Sequence, residues 1–334
     1  MQRRLLLSHY NGIALDREIM SHNIKKKTIN SVTKLEKNLG NKLNLEEITT
    51  FKTKIPKRFI ELANAIHLDD PLMKQVLPDA RELFGGDDLD PVNEHGLVNQ
   101  GLIKKYNGRA LLIVTEACPM HCRYCFRREF PYKGNQMSTD NLNGAIRAIN
   151  ADKSLIEIIL SGGDPLSLSD DRLDDLITRI NALHHIQTLR IHSRYPIADP
   201  QRVNSSLLAA LKKFTRKTVF VFHINHPNEI DGEFIDAAVK LKNNEIRLLN
   251  QSVLLKGVND NPNTLKELSL MLFDIGITPY YLHLLDEVKG ASHFKIETEE
   301  AVKIHERLKE LVSGYLVPKL VKEIAGESSK VTIS

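Results

Sequence analysis

From Arg109 onward, short apolar runs alternate with amphipathic helical stretches, and this alternation restricts the possible folds more than any other feature of the chain. The runs are Ala110–Thr115, Leu155–Ser161, Thr188–Ser193, Thr218–His223, Ile246–Ser252 and Thr278–Leu284. Helix-like segments lie at Asp171–Leu183, Asn204–Phe214, Asp231–Asn243, Asn263–Gly276 and Thr298–Val312. Repeated strand–helix units predict a parallel sheet with right-handed crossovers. Six units are too few to close an eight-stranded barrel. The expected fold class is therefore α/β, a partial (βα)6 TIM-like barrel of crescent shape. Ligands on such sheets sit at the carboxyl ends of the strands, so function is expected in the loops that follow the runs.

The loop after the first run holds the only cysteines of the chain, Cys118, Cys122 and Cys125. It reads Ala117-Cys118-Pro119-Met120-His121-Cys122-Arg123-Tyr124-Cys125-Phe126, a C-x3-C-x2-C spacing with an aromatic residue before the last cysteine. Three thiolates can hold three corners of a cubane 4Fe-4S cluster and leave the fourth iron open to a non-protein ligand. A disulfide would leave one thiol over, and nothing suggests an oxidising compartment. Structural zinc wants four ligands, and His121 would be a cramped fourth directly beside Cys122. The spacing favours the cluster.

Bulk composition is that of an ordinary globular protein. The chain has 334 residues, 42% hydrophobic and 26% charged, with a formal net charge of +4. That charge is small and makes no case for nucleic acid. The opening Met1–Leu7 is basic, but its apolar run is too short for a signal core or a membrane span. A cytoplasmic location suits free thiolates and an oxygen-sensitive cluster. Residues 1–90 carry helix-like segments such as Lys34–Leu39 and Lys57–Ile66, and Phe84–Pro91 reads as a linker or turn. The expected division is a helical region and linker at 1–90, the partial barrel at 91–314, and a short C-terminal segment at 315–334.

The cysteine loop resembles the signature of the radical S-adenosylmethionine (radical SAM) superfamily. The following Arg127-Arg128-Glu129-Phe130 narrows the resemblance to the lysine 2,3-aminomutase family, and it covers nearly all of residues 60–330. It implies an isomerase that converts L-lysine to β-lysine. The implied cofactors are a 4Fe-4S cluster on Cys118, Cys122 and Cys125, S-adenosyl-L-methionine, and pyridoxal 5′-phosphate (PLP).

Individual residues take expected roles from the same resemblance. Gly162, Gly163 and Asp164 lie in Ser161-Gly162-Gly163-Asp164-Pro165, an ordinary turn sequence by itself, which resembles the family's motif for the amino group of S-adenosylmethionine. His223, at the end of the fourth run, and Gln251, in the segment Asn250–Asn259, are expected at the cofactors. Lys105 and Arg109 are cations suited to a phosphate, and they fall on basic family positions near PLP, with Tyr106 beside them. Lys330 follows Gly314-Tyr315-Leu316-Val317-Pro318 and falls on the lysine that carries PLP. Arg127 matches the arginine for the substrate carboxylate. Asp286 and Glu323 match the carboxylates for its ε-ammonium, with glutamate at 323 in place of the usual aspartate.

The chain shows neither the long C-terminal extension nor the zinc-binding cysteines of the catabolic members. In this it resembles the short bacterial members that make (R)-β-lysine for attachment to translation elongation factor P. The resemblance implies contact with that factor or its ligase, an external electron donor, and a homo-oligomer, with no membrane or nucleic-acid partner. Glutamate 2,3-aminomutase, another radical SAM enzyme, and a non-catalytic iron–sulfur or zinc module are the competing readings.

Overall fold

The computed structural model describes residues 28–39, 51–64, 69–99, 101–133, 135 and 138–334. The basic opening Met1–Leu7 and the end of the expected 57–66 helix lie outside the described residues. Twelve strands are described: β1 (Thr28–Ile29), β2 (Ile55–Pro56), β3 (Val98–Asn99), β4 (Leu102–Tyr106), β5 (Arg109–Thr115), β6 (Glu157–Gly162), β7 (Thr188–Ser193), β8 (Lys217–His223), β9 (Arg247–Val253), β10 (Thr278–His283), β11 (Lys319–Lys322) and β12 (Val331–Thr332). β1 and β2 form a small antiparallel pair. The other ten form one sheet in the linear order β12-β11-β10-β9-β8-β7-β6-β5-β4-β3.

All six expected strands are present and run parallel as β5 to β10. The sheet is wider than the six-unit reading. β11 adds a seventh parallel strand, and β3, β4 and β12 extend the edges antiparallel. These additions are short or lysine-bearing, so their apolar alternation is too weak to register as strands in the sequence. The helix Thr139–Ala151 between β5 and β6 is likewise new, because it buries a small face of Leu142, Gly144, Ala145 and Ile149. Helices at Thr139–Ala151, Asp170–Asn181, Ser205–Lys212, Gly232–Lys242 and Pro262–Asp274 start at Ser138, Ser169, Asn204, Asp231 and Asn261. Each of these side chains accepts a backbone N–H of the first turn.

Alternation along the strands divides the sheet into two chemical faces. On β7, Leu189 and Ile191 are buried in the main core, where Leu176, Ile177 and Ile180 of helix Asp170–Asn181 also lie. Arg190 and His192 point the other way and line a cavity on the concave side. On β9, Leu248 joins the core while Gln251 and Val253 line the cavity. One face is thus an apolar seam under the helices, and the other is a trough where charged and polar groups are set among apolar side chains.

The main core also takes in residues before 90. Phe59, Leu72, Met73, Val76 and Leu77 are fully buried in it. From this region the chain clamps the cysteine loop. The His121 N–H donates to the Lys54 carbonyl at 2.9 Å, and the Arg123 N–H to the Gln75 carbonyl at 2.8 Å. Arg123 itself is fully buried, and its Nε and Nη2 reach the two Glu82 oxygens at 2.7 and 2.5 Å. Removing one member of such a buried pair leaves an uncompensated charge. Glu82→Ala should therefore lower the unfolding free energy by about 3–5 kcal/mol in urea titrations. A change below ~1 kcal/mol would show that the clamp is dispensable.

Candidate active site

A cavity of about 320 Å3 opens at the carboxyl ends of the parallel strands. All fifteen residues singled out from the sequence line it: Lys105, Tyr106, Arg109, Cys118, Cys122, Cys125, Arg127, Gly162, Gly163, Asp164, His223, Gln251, Asp286, Glu323 and Lys330.

The cysteine loop leaves β5 at Thr115 and immediately passes the end of β6. The Gly163 N–H donates to the Thr115 carbonyl at 2.6 Å, and the Asp164 N–H to the Ala117 carbonyl at 2.8 Å. A Cβ on Gly163 would lie 2.4 Å from the Ala117 oxygen, and Gly162 has φ +116. The paired glycines therefore let the start of the cysteine loop rest directly on β6. Asp164 fastens β6 to β7: it accepts from Ser193 Oγ at 2.8 Å and from the Arg194 N–H at 2.7 Å. Burial raises its carboxyl to about 6, against the pull of these hydrogen bonds.

The three thiols are free. Among the described residues, no three metal-ligating side chains converge on a single ion. A cubane asks for something else, a triangle of thiolates each meeting a different iron. His121 does not line the cavity with the three cysteines; its Nδ1 lies 2.7 Å from the Lys52 carbonyl and its ring stacks on Phe51. Burial raises the Cys118 thiol, and Asp164 and the other two cysteines raise it further. Burial and then Cys122 push Cys125 up to about 11. Bare thiolates at Cys118 and Cys125 are costly here, and a cationic iron core would offset that cost. The donor set fits the cluster.

At the opposite end of the trough, the β11–β12 pairing brings Lys322 opposite Val331 and so sets Lys330 beside Glu323. Lys330 Nζ forms an ion pair with Glu323, whose carboxylate also accepts from the Tyr106 hydroxyl and from Lys105 Nζ, the latter at 2.7 Å. The Arg109 guanidinium lies 4.9 Å over the Tyr106 ring. Burial alone would raise the Glu323 carboxyl, but Lys330, Lys105 and Tyr106 together hold it down to about 2. A primary amine among two further cations fits a phosphorylated aldehyde.

Asp286 behaves in the opposite way. Burial raises its carboxyl to about 7 while Lys330 pulls it down, and no cation among the described residues pairs with it. Arg127 is held by a residue the sequence reading passed over. Its Nε and Nη2 donate to Glu94 at 2.7 and 2.9 Å, and Nη1 donates to Ser161 Oγ at 3.0 Å. Glu94 sits in a turn 33 residues upstream, and no periodicity marks it. Two of the five guanidinium N–H groups are left for a ligand. His192, His223 and His283 also face the cavity, and burial holds all three below the ordinary histidine range, His283 at about 3. They add polarity without positive charge near neutral pH.

Comparison with known proteins agrees with this geometry. The profile of the radical SAM superfamily matches residues 112–268. A protein named L-lysine 2,3-aminomutase from Escherichia coli (strain K12) is 47% identical over 285 residues, covering 85% of this chain and 83% of that one. The protein of the same name from Haemophilus influenzae is 45% identical over 285 residues, covering 84% of each chain. That from Clostridium subterminale is 34% identical over 290 residues, covering 86% of this chain and 70% of its own.

Two outcomes follow from the site. Gly163→Ala should displace the loop at Ala117 and Cys118, and iron bound per chain after anaerobic reconstitution should fall at least about threefold with the fold retained. Full iron loading would contradict the packing role of the glycine. The second outcome concerns Asp286, whose carboxyl stands at about 7 in the free protein. An ammonium ligand favours the ionised form and lowers that value on binding. Affinity through Asp286 is therefore full above about pH 7 and falls, by up to about tenfold per unit, as pH drops through it. Titrations with L-lysine should show this break, and Asp286→Asn should remove it. A break that persists in the variant would point to another group.

Proposed function

Because the chain belongs to the L-lysine 2,3-aminomutase family of the radical SAM superfamily, we propose that it converts L-α-lysine to β-lysine. The observation that carries this reading is a single cavity with three cysteines at one end, an amine among cations at the other, and an unpaired carboxylate between other polar groups. When bound, the cluster with S-adenosylmethionine would supply a carbon radical, and PLP would supply a conjugated π system that delocalises the unpaired electron while the nitrogen migrates.

The residues of the chain have the tasks of holding and shielding. Cys118, Cys122 and Cys125 are the cluster ligands. Gly162, Gly163, His223 and Gln251 line the wall for S-adenosylmethionine, and Asp164 braces it. Lys330 is the covalent anchor for PLP, with Arg109 and Lys105 for the phosphate and Tyr106 beside them. Arg127, braced by Glu94, presents its two remaining N–H groups to the substrate carboxylate. Asp286, which has no cation of its own among the described residues, would take the substrate ε-ammonium, with Glu323, held by Lys105 and Tyr106, as the second carboxylate beside it. A glutamate substrate would place a third carboxylate against these two, which favours lysine.

The reading extends to the (R) product and its use on elongation factor P, a cytoplasmic setting, a homo-oligomer and an external electron donor. Among the described residues, no helix is long and apolar enough to cross a membrane. We divide the chain at about residues 90 and 314, with the first part clamping the cysteine loop and the last part carrying Lys330.

Anaerobically reconstituted protein supplied with PLP, S-adenosylmethionine and dithionite should turn over L-lysine and not L-glutamate. Chiral analysis of the product, followed by its transfer to elongation factor P, tests the finer claims. Lys330→Ala should lose turnover and the visible absorption of the anchored coenzyme while keeping iron. Turnover of glutamate, or a colourless protein that binds zinc, would sink the assignment.

A further inference from the structure

Resting on the proposed cluster, we infer that Arg194 is a positioning residue that tunes the cluster's reduction potential through an N–H···S hydrogen bond to Cys122, with Glu229 as its counter-ion. Arg194 follows β7 and is only 6% exposed. Its Nη1 lies 2.9 Å from the Cys122 sulfur and 2.6 Å from the Tyr124 hydroxyl. Its Nη2 donates to Gln75 Oε1 at 2.6 Å and to Glu229 Oε2 at 2.9 Å. One guanidinium thus joins the region before β3, the cysteine loop and the loop after β8.

The surrounding bonds leave it little freedom. Glu229 is fully buried, and its other oxygen accepts from the backbone N–H of Asn225 at 3.0 Å and of His226 at 3.1 Å, and from Gln75 Nε2 at 3.2 Å. Asn225 Nδ2 donates to the Tyr124 hydroxyl at 2.7 Å. The guanidinium also lies over the Phe59 ring at 5.3 Å. A planar fork held at both ends presents its N–H to the sulfur in one orientation.

Reduction of the cluster takes one electron from the external donor and adds one unit of negative charge. Arg194 takes up no proton, because a guanidinium is charged in both states. A hydrogen-bond donor on a ligand sulfur and a positive charge in a dry site both favour the more negative, reduced cluster. The Glu229 carboxylate acts in the opposite direction. The pair therefore makes two predictions of opposite sign, which a merely structural role would not produce.

The test is an anaerobic redox titration of the reconstituted protein, with the reduced cluster read by electron paramagnetic resonance and iron and sulfide counted per chain. At a potential set to the wild-type midpoint, Arg194→Gln should lower the reduced-to-oxidised ratio by about tenfold, a fall of ~59 mV for one electron. Arg194→Lys, which keeps the charge without the fork, should recover part of that ratio. Glu229→Gln keeps an acceptor for Arg194 and removes the opposing charge, so its ratio should rise. Unchanged midpoints at wild-type iron content, or shifts of the same sign in Arg194→Gln and Glu229→Gln, overturn the inference and leave the proposed function standing. If Arg194→Gln fails to fold, Glu229→Gln decides alone, and an unchanged or lowered midpoint overturns it. Wild-type protein without a cluster overturns both.

Discussion

Each strand of the crescent is covered by helices on one face only, and its period of two sends alternate side chains to chemically opposite places. Leu189 and Ile191 go to the core while Arg190 and His192, one residue away, go to the trough. Burying one set of side chains under the helices therefore delivers the other set to the same concave surface, where Leu111 and Ile159 mix with Arg190, His192 and Gln251. A slip of one residue in any strand would exchange the two sets, so the core that stabilises the fold also fixes the register of the site.

The trough carries its charge in two separate arrangements. At the cysteine end, the Cys122 sulfur, the Tyr124 hydroxyl and Glu229 meet around the buried Arg194 guanidinium. At the far end, Glu323 gathers Lys330, Lys105 and Tyr106. Asp286 lies among these groups without a cation of its own, and burial keeps its carboxyl near neutrality. One carboxylate is satisfied by the protein and the other awaits a partner. That asymmetry suits a site which must admit a cationic side chain without already holding two bare negative charges.

The residues before β3 are part of this machinery and not a separate appendage to it. Lys54, Gln75 and Glu82 hold the cysteine loop from beneath through backbone and ion-pair contacts. Glu94 holds Arg127 from the side. The loop is thus gripped by the first part of the chain and by the glycines of β6 together.

Local chemistry was readable in the chain itself. The strand–helix alternation, the cysteine spacing and the polar residues closing each apolar run depend on neighbours a few positions apart, where periodicity is a direct physical signal. The cysteines marked by their spacing line the cavity, and so do Lys330, Asp286, Glu323 and Arg127, which only the family resemblance singled out. The tertiary structure decided the pairings between distant segments. Glu94 meets Arg127, Glu229 meets Arg194, and Arg194 meets a sulfur 72 residues before it. It also decided the weak edge strands that bring Lys330 beside Glu323. Such contacts depend on how far the sheet curves and on which register its edges adopt. Those quantities are set by the packing of the whole core, and no short stretch of sequence contains them.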